Sequence, residues 1–435
     1  MGIAILGGGL TGLTAAYYLA KKGHQVTIFE KEKTLGGLAS GFKNNNWDWY
    51  LERTVHHLFA NDDDILNFAK EIGFNKIFFK EPETASLYEN PNDKIQISNQ
   101  IQNLKSKFKI LPLDTPLDLL KFPYLNIIDK LRAGIVIAFL KLSPFFSFYE
   151  RQTAEEFLKK YLGKSGWERL FRELFRKKFG KYAGNILSSF IWARIKKRTK
   201  KLSYVEGGFQ VLINYIVDEL KSLRVNVLTS CEIREIKKKG ERYFINSQLF
   251  DAVISTLPTP VLTKISEKIF PEDYLSRLKK VQYLHSLSLV LETERTILEK
   301  TYWLNISAKE IPIMGIFQQT NFIDKKYYGG KNISYLGWYV GTEDRLWKME
   351  DKELLDYVKS YLNKIFNFQF SIFNYHVFRA PYTQPIFNKE FLKNKPEFVT
   401  PLKNFFIANL DMTYPYDRGT NYAVKLGKEV SKLIL

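Results

Sequence analysis

Gly7, Gly9 and Gly12 are spaced as GxGxxG near the start of the 435-residue chain, and the chemistry this spacing serves is the holding of a phosphate chain. The first glycine allows a tight turn, the second lets a diphosphate approach the backbone, and the third lets a helix pack closely on its strand. Leu10 and Thr11 begin that helix, whose unpaired N–H groups face the phosphates. Glu30, with Lys31 beside it, supplies a carboxylate that accepts hydrogen bonds from an adenosine ribose. A second glycine pair, Gly36 and Gly37, follows at once, where a further backbone segment can lie against a diphosphate. So much phosphate-facing backbone fits a long, extended FAD.

Other groups with chemical potential lie far along the chain. The run YPYDRGTNYAVKLG, residues 414 to 427, sets Asp417, Arg418, Gly419, Thr420 and Asn421 at the entry to a helix. Asp417 and Arg418 either pair with each other in a capping turn or contact a ligand. In RTVHHLF, His56 and His57 either face a flavin ring or an anionic substrate, or pack with hydrogen bonds to backbone. In FRAPYTQP, Arg379 stands at a strand end near Tyr382, placed to clamp a carboxylate or phosphate. Trp338 and Tyr339 either wall a pocket or belong to the core. No Ser/His/Asp triad or paired acid/base carboxylates stand out. The single cysteine, Cys231, forms no internal disulfide, no Cys/His spacing suits a metal, and the expected compartment is reducing.

The elements that must position these groups follow from periodicity. IAIL, GGGLTG and LTAAYYLAKKG read as strand, turn and helix, and QVTIFE as a second strand ending on Glu30. From 61 to 201 the pattern is helical, with a capping box at Thr153 and Glu156. Its end, Arg172 to Lys201, holds eleven basic residues against Glu173 alone, either a solvated helix face or a lipid or phosphate contact. After residue 202 come a helix, a strand around Val225 to Leu228, and the buried strand DAVIST. Residues 263 to 400 alternate apolar and polar positions, the pattern of an antiparallel sheet. FFIA gives a last strand, followed by a polar crossing from Asn409 to Asp417 and a helix from Thr420.

With the glycine loop, HH, TNF (320 to 322), FRAPY and YPYDRGTNYA together, the chain resembles the flavin amine oxidase superfamily over essentially its whole length. That superfamily includes monoamine oxidases, protoporphyrinogen oxidases and phytoene desaturases, and more distantly UDP-galactopyranose mutases. The resemblance implies an α/β protein with a discontinuous Rossmann-type FAD-binding domain (1–60, 202–262 and 401–435), an inserted helical lobe (61–201) and an antiparallel-sheet substrate domain (263–400). It implies that backbone near Ile233 meets the adenine and that Thr256 ends beside the cofactor. Gly419, Thr420, Asn421, Tyr422 and Ala423 would contact the flavin ring, whose N1 and O2 edge faces the helix start, and Asp411 would hold the ribityl chain. Thr34 and Leu38 stand where the superfamily usually has arginines around the glycine pair, and Asn409, Leu410 and Asp411 replace its usual Gly-Asp or Gly-Glu pair.

The expected activity is FAD-dependent oxidation, hydride leaving a C–C or C–N bond of a largely apolar small molecule, with His57, Arg379, Tyr382 and Arg418 as the catalytic candidates. The alternative is a non-redox mutase acting through reduced flavin on a nucleotide sugar, its diphosphate held by Arg379 and Arg418. Lys plus Arg is 65 and Asp plus Glu is 46, a net charge of +19 that favours anionic lipids, phosphorylated substrates or nucleic acid. No recognition helix or RNA-stacking motif is present, so no specific nucleic acid is expected. The stretch AGIVIAFLKLSPFFSF, 133 to 148, contains Lys141 and Pro144 and is shorter than the ~20 apolar residues of a membrane span. The N-terminus shows no basic leader. These features lead to the expectation of a cytoplasmic protein whose basic lobe and Phe-rich stretch rest on the anionic inner face of a membrane.

Overall fold

The computed structural model describes residues 1–90, 107–366 and 371–434. Its centre is a parallel five-stranded sheet of β1 (Gly2–Leu6), β2 (Gln25–Phe29), β3 (Asn226–Leu228), β4 (Ala252–Ser255) and β5 (Phe405–Ile407), in the order β3-β2-β1-β4-β5. The inner strands are nearly continuous apolar runs because both faces are covered, and Ile3, Ile5, Ile28 and Ile254 are fully buried. Register places Leu6 beside Phe29 and Ser255, so β1, β2 and β4 all end at one edge of the sheet. Ligands bind at that carboxyl edge in such sheets. Helix α1 (Leu10–Lys21) starts there, directly after the glycine loop.

A seven-stranded sheet forms the second layer, in the spatial order Ile372–Pro385, Tyr283–Thr293, Asn332–Val340, Gly315–Gln318, Thr301–Ile306, Glu83–Glu89 and Phe108–Leu111. It is mixed, since Thr301–Ile306 runs parallel to Glu83–Glu89 while its other pairs are antiparallel. Two of its strands come from 61–201, so that segment is not purely helical as its periodicity implied. A third strand there, Ile77–Lys80, pairs with Leu202–Val205. These strands are short and flanked by strong helical patterns, and only long-range pairing decides their state. Within the segments read as lobe, sheet domain and closing FAD-domain stretch, residues 91–106, 367–370 and 435 lie outside the described residues.

The helical portion contains α2 (Asp63–Glu71), α3 (Ile127–Leu142) and α4 (Ser188–Lys197). Ala133, Val136 and Leu140 of α3 and Phe190, Ile191 and Trp192 of α4 share one apolar core. Among the described residues no helix is long and apolar enough to cross a membrane.

The closing helix α5 (Thr420–Ser431) lies against α1, which brings the two ends of the chain together. A Cβ at Gly427 would fall 2.5 Å from the Thr11 carbonyl oxygen and 2.8 Å from Thr14 Cβ, so the helices meet backbone to side chain. Lys22 Nζ adds hydrogen bonds to the Ser431 and Ile434 carbonyls, at 2.8 and 3.1 Å.

Candidate functional site

The glycine loop is braced by a second glycine segment. Gly36 donates its N–H to the Gly8 carbonyl at 2.8 Å, and Gly9 and Gly36 form a parallel bridge. A Cβ on Gly37 would sit 3.2 Å from Gly9 Cα, and one on Gly12 would be 2.1 Å from the Gly7 carbonyl oxygen. Two glycine segments therefore lie together at the sheet edge. Thr256 is next to the loop, its Oγ1 donating to the Leu6 carbonyl at 2.9 Å, and Leu38 follows Gly37 in a short 3-10 turn. Glu30 is buried at the end of β2, with Oε2 accepting the Gly8 N–H and Oε1 the Glu32 N–H, at 2.8 and 2.9 Å. Ser230 and Cys231 donate to the Glu32 and Glu30 carbonyls, which carries the irregular segment containing Ile233 past the same carboxylate. Lys31 turns out to solvent against Glu32.

The residues fit FAD. Helices α1 and α5 begin at Gly9 and Gly419 with no side-chain cap; α2 and α4 also lack one, but Asn421 Oδ1 takes the Ile65 N–H of α2 and the Gln152 carbonyl takes the Ser188 N–H of α4. Uncapped first-turn N–H groups are free for an external acceptor, which a diphosphate at α1 and a flavin edge at α5 would provide. Thr420 lies in that first turn and Ala423 is half-buried one turn on. Asn421 is engaged elsewhere: its Oδ1 accepts the Ile65 N–H at 3.1 Å and its Nδ2 donates to Asp64, so the side chain ties α5 to the start of α2. Any part it plays toward a flavin falls to its backbone.

Asp411 is buried, and its Oδ2 accepts hydrogen bonds from Thr259 Oγ1 and the Tyr283 hydroxyl, both at 2.5 Å. Burial pushes its carboxyl up to about 6, against the pull of those two donors. Tyr382 reaches the same corner through an irregular pairing opposite His285, where its N–H donates to His285 Nδ1 at 2.8 Å. Its φ of +56° is a left-handed conformation that costs a non-glycine residue about 1–3 kcal/mol. The ring stands edge-on to Tyr283, with centroids 5.6 Å apart.

Arg379 is not the ligand clamp that its strand-end position implied. Its Nη1 pairs with Asp351 at 2.6 Å, and its other nitrogens donate to the Met349 and Trp347 carbonyls. Pairing of its strand with Tyr283–Thr293 turns it toward the helix Asp351–Phe366, a tertiary contact without local signal. Trp338 is likewise core, donating to the Pro312 carbonyl, while Tyr339, on the opposite face of the strand, enters the site.

There Arg418 donates from Nε to the Tyr339 hydroxyl at 3.0 Å, and its Nη1 is buried with no hydrogen-bond partner among the described residues. Asp417 does not pair with the Arg418 guanidinium: its Oδ1 takes the Arg418 backbone N–H, and its Oδ2 takes Lys178 at 2.6 Å and Arg194 at 3.1 Å. Three cations thus surround one carboxylate, and Lys178 and Arg418 both lie over the Tyr339 ring. Burial alone would raise the Asp417 carboxyl, but these cations hold it below its usual value. Arg198, one helical turn beyond Arg194, pairs with Asp114 at 2.5 Å, and both arginines lie over Trp303.

The two histidines border this positive region and stay neutral. Burial and then Arg418 lower His56 to about 4, and burial, His56 and the two arginines of α4 lower His57 to about 3. His57 Nδ1 is 3.1 Å from the Tyr302 hydroxyl. His56 Nδ1 is 2.7 Å from the Thr54 carbonyl oxygen, which accepts only, so Nδ1 carries the proton and the ring's lone pair is on Nε2.

Sequence reasoning missed Lys178, Arg194, Tyr283 and Thr259. The first two belong to the basic run, part of which turns inward: Lys177 bonds the Ala308 and Ile311 carbonyls, Lys196 that of Ser143 and Lys197 that of Asn61. A signal existed in the i,i+4 spacing of Arg194 and Arg198 on a helix whose preceding residues are apolar.

A discontinuous parallel sheet with a glycine loop, a buried carboxylate and a second uncapped helix at its carboxyl edge is the arrangement of a dinucleotide-binding fold. The family model for flavin containing amine oxidoreductases matches residues 10–435, and the chain belongs to that family. It is an FAD-dependent oxidoreductase. A soybean 15-cis-phytoene desaturase is 22% identical, the match covering 100% of this chain and 79% of the relative. The solved structure of a proposed protoporphyrinogen oxidase from Exiguobacterium superposes with a TM-score of 0.73 at 18% identity, covering 100% and 98% of the two chains. That of a reduced UDP-galactopyranose mutase gives 0.73 at 15% identity, covering 99% and 95%.

Proposed function

We propose that this oxidoreductase acts on a C–C or C–N bond of a small molecule that joins a largely apolar body to an anionic group. The observation that carries this reading is the buried, unpartnered Nη1 of Arg418 in a cluster where Lys178, Arg194 and Arg418 outnumber Asp417. An unsatisfied buried guanidinium nitrogen costs a few kcal/mol, on the order of 1–3, until an acceptor arrives. Bound FAD supplies the two-electron acceptor. The protein contributes orientation and charge: Arg418 receives the anion and Tyr339 fixes its guanidinium, with Trp303 under Arg194 and Tyr416 stacked on Tyr422. His56, neutral with its lone pair on Nε2, accepts a hydrogen bond there and adds no positive charge.

The cation cluster also favours the second reading, a mutase that holds a nucleotide-sugar diphosphate. Arg379 is engaged elsewhere, so the pair for that role is Arg418 with Arg194.

Anaerobic mixing separates the two. Carboxylate-bearing candidate substrates are expected to bleach the oxidised flavin, and Arg418→Gln to raise KM for them by about tenfold or more, the loss of one charge-assisted hydrogen bond. Neutral ester analogues should be indifferent to the substitution. Turnover of a nucleotide sugar only after dithionite reduction, with no net redox change, supports the mutase. Equal use of acid and ester by both proteins removes the anion from the reading.

A further inference from the structure

Helix α3 is apolar on two sides, and among the described residues only one of them has a partner. Ala133, Val136 and Leu140 are buried against α4 and its neighbours. Ile128, Leu131, Ile135, Phe139 and Leu142 recur at three- and four-residue spacing on the other side and lie in solvent, with Ile128, Ile135 and Leu142 68, 70 and 78% exposed. Leu117 and Leu120 of the preceding helix and Phe145 just beyond extend the patch. A stripe of this kind with nothing against it marks an interaction surface.

Basic groups predominate around it. Arg132, Lys141 and Lys121 are exposed, while the carboxylates of Asp118 and Asp129 accept hydrogen bonds from their own helix caps, Thr115 and Asn126. We infer that this face docks on a bilayer surface containing anionic lipids, α3 lying in the interface with its exposed aliphatic side chains among the acyl chains. The helix has 16 residues, roughly 24 Å of length, short of a span but suited to lying flat. Self-association is disfavoured, because a twofold pairing of these faces would set basic fringe against basic fringe on a chain of net charge +19.

The location gives the contact a purpose. Lys141 of α3 donates to the Ile195, Lys196 and Arg198 carbonyls at the end of α4, and Trp192 Nε1 donates to the Ser143 carbonyl at the end of α3. Helix α4 therefore has the docking helix on one side and, through Arg194 and Arg198, the cation cluster on the other. A molecule with an apolar body and an anionic group partitions into such a surface and leaves it beside that cluster. The docking face is independent of what the flavin oxidises.

The test is flotation of the purified, FAD-loaded protein with phosphatidylcholine vesicles, with and without about 30 mol% phosphatidylglycerol. The expected result is co-flotation with the anionic vesicles, and at least about a tenfold loss for the triple variant Ile128→Glu, Ile135→Glu, Leu142→Glu. Its flavin spectrum and melting temperature should match the parent, since all three side chains are exposed. Failure to float on either vesicle, equal flotation on neutral vesicles, or undiminished flotation of the triple variant overturns the inference. So does a dimer in sedimentation that the triple variant abolishes while neither protein floats, which would make the face a contact between copies.

Discussion

A few side chains carry the chemistry, and each is held by neighbours that no local pattern indicates. Glu30 is positioned by two backbone N–H groups. Glu30→Ala would remove the proposed ribose acceptor and loosen the glycine loop, so FAD affinity should fall by about tenfold or more, the worth of one charged hydrogen bond. Equilibrium dialysis of the apoprotein checks this, and unchanged affinity would remove Glu30 from the site. The histidines give a pH signature. Both have folded values below the ordinary 6.5, so as pH falls from 6.5 toward 4 the unfolded chain binds protons that the folded chain refuses. Stability should decline through that window, and His56→Gln should flatten the decline of the melting temperature.

At the level of elements, the contact between α1 and α5 and the tie at Glu52 are the points of leverage. Gly427→Ala places a Cβ where the Thr11 carbonyl stands, wedging the helices apart at a cost of about 1–3 kcal/mol. Urea unfolding should show this as a lower midpoint. Glu52 is buried and accepts the Tyr204 hydroxyl at 2.6 Å and the Phe209 N–H at 2.8 Å, joining a strand to the start of the helix Phe209–Ser222. Burial raises its carboxyl to about 7 despite those donors. With a folded value above the unfolded 4.5, its contribution is fully present below 4.5 and is lost as pH rises through 7, opposite in sign to the histidines. Glu52→Gln should lose that dependence, as melting curves between those pH values would show.

For the molecule as a whole, α1 and α5 bring both ends of the chain together, so one ligand held there would be held by both. Free FAD at a hundredfold excess over Kd should raise stability by about 2.7 kcal/mol. At that same FAD concentration the increment should shrink both in Glu30→Ala, near the front, and in Gly427→Ala, near the back. If Gly427→Ala keeps the full increment, α5 has no part in holding the cofactor. The positive charge has two destinations at this scale: part of the basic run faces inward around Asp417, and Arg132, Lys141 and Lys121 fringe an outer apolar face.

By itself the sequence determined what depends on neighbours a few residues apart. The glycine spacing, the strand ending on Glu30, the apolar runs of the central strands and the helix beginning at Thr420 are local signals, and each element forms where its pattern lies. Tertiary structure decided what depends on direction and distant pairing. Arg379 and Arg418 look alike in sequence, yet a strand register turns the first toward Asp351 while the second keeps a buried nitrogen free. The basic run read as a surface, but a helix shows all its sides and only packing selects which is covered. Lys178 and Arg194 point inward because Asp417, more than two hundred residues away in sequence, comes to meet them. The aliphatic side chains of α3 point outward because the core behind that helix is already filled from its other face.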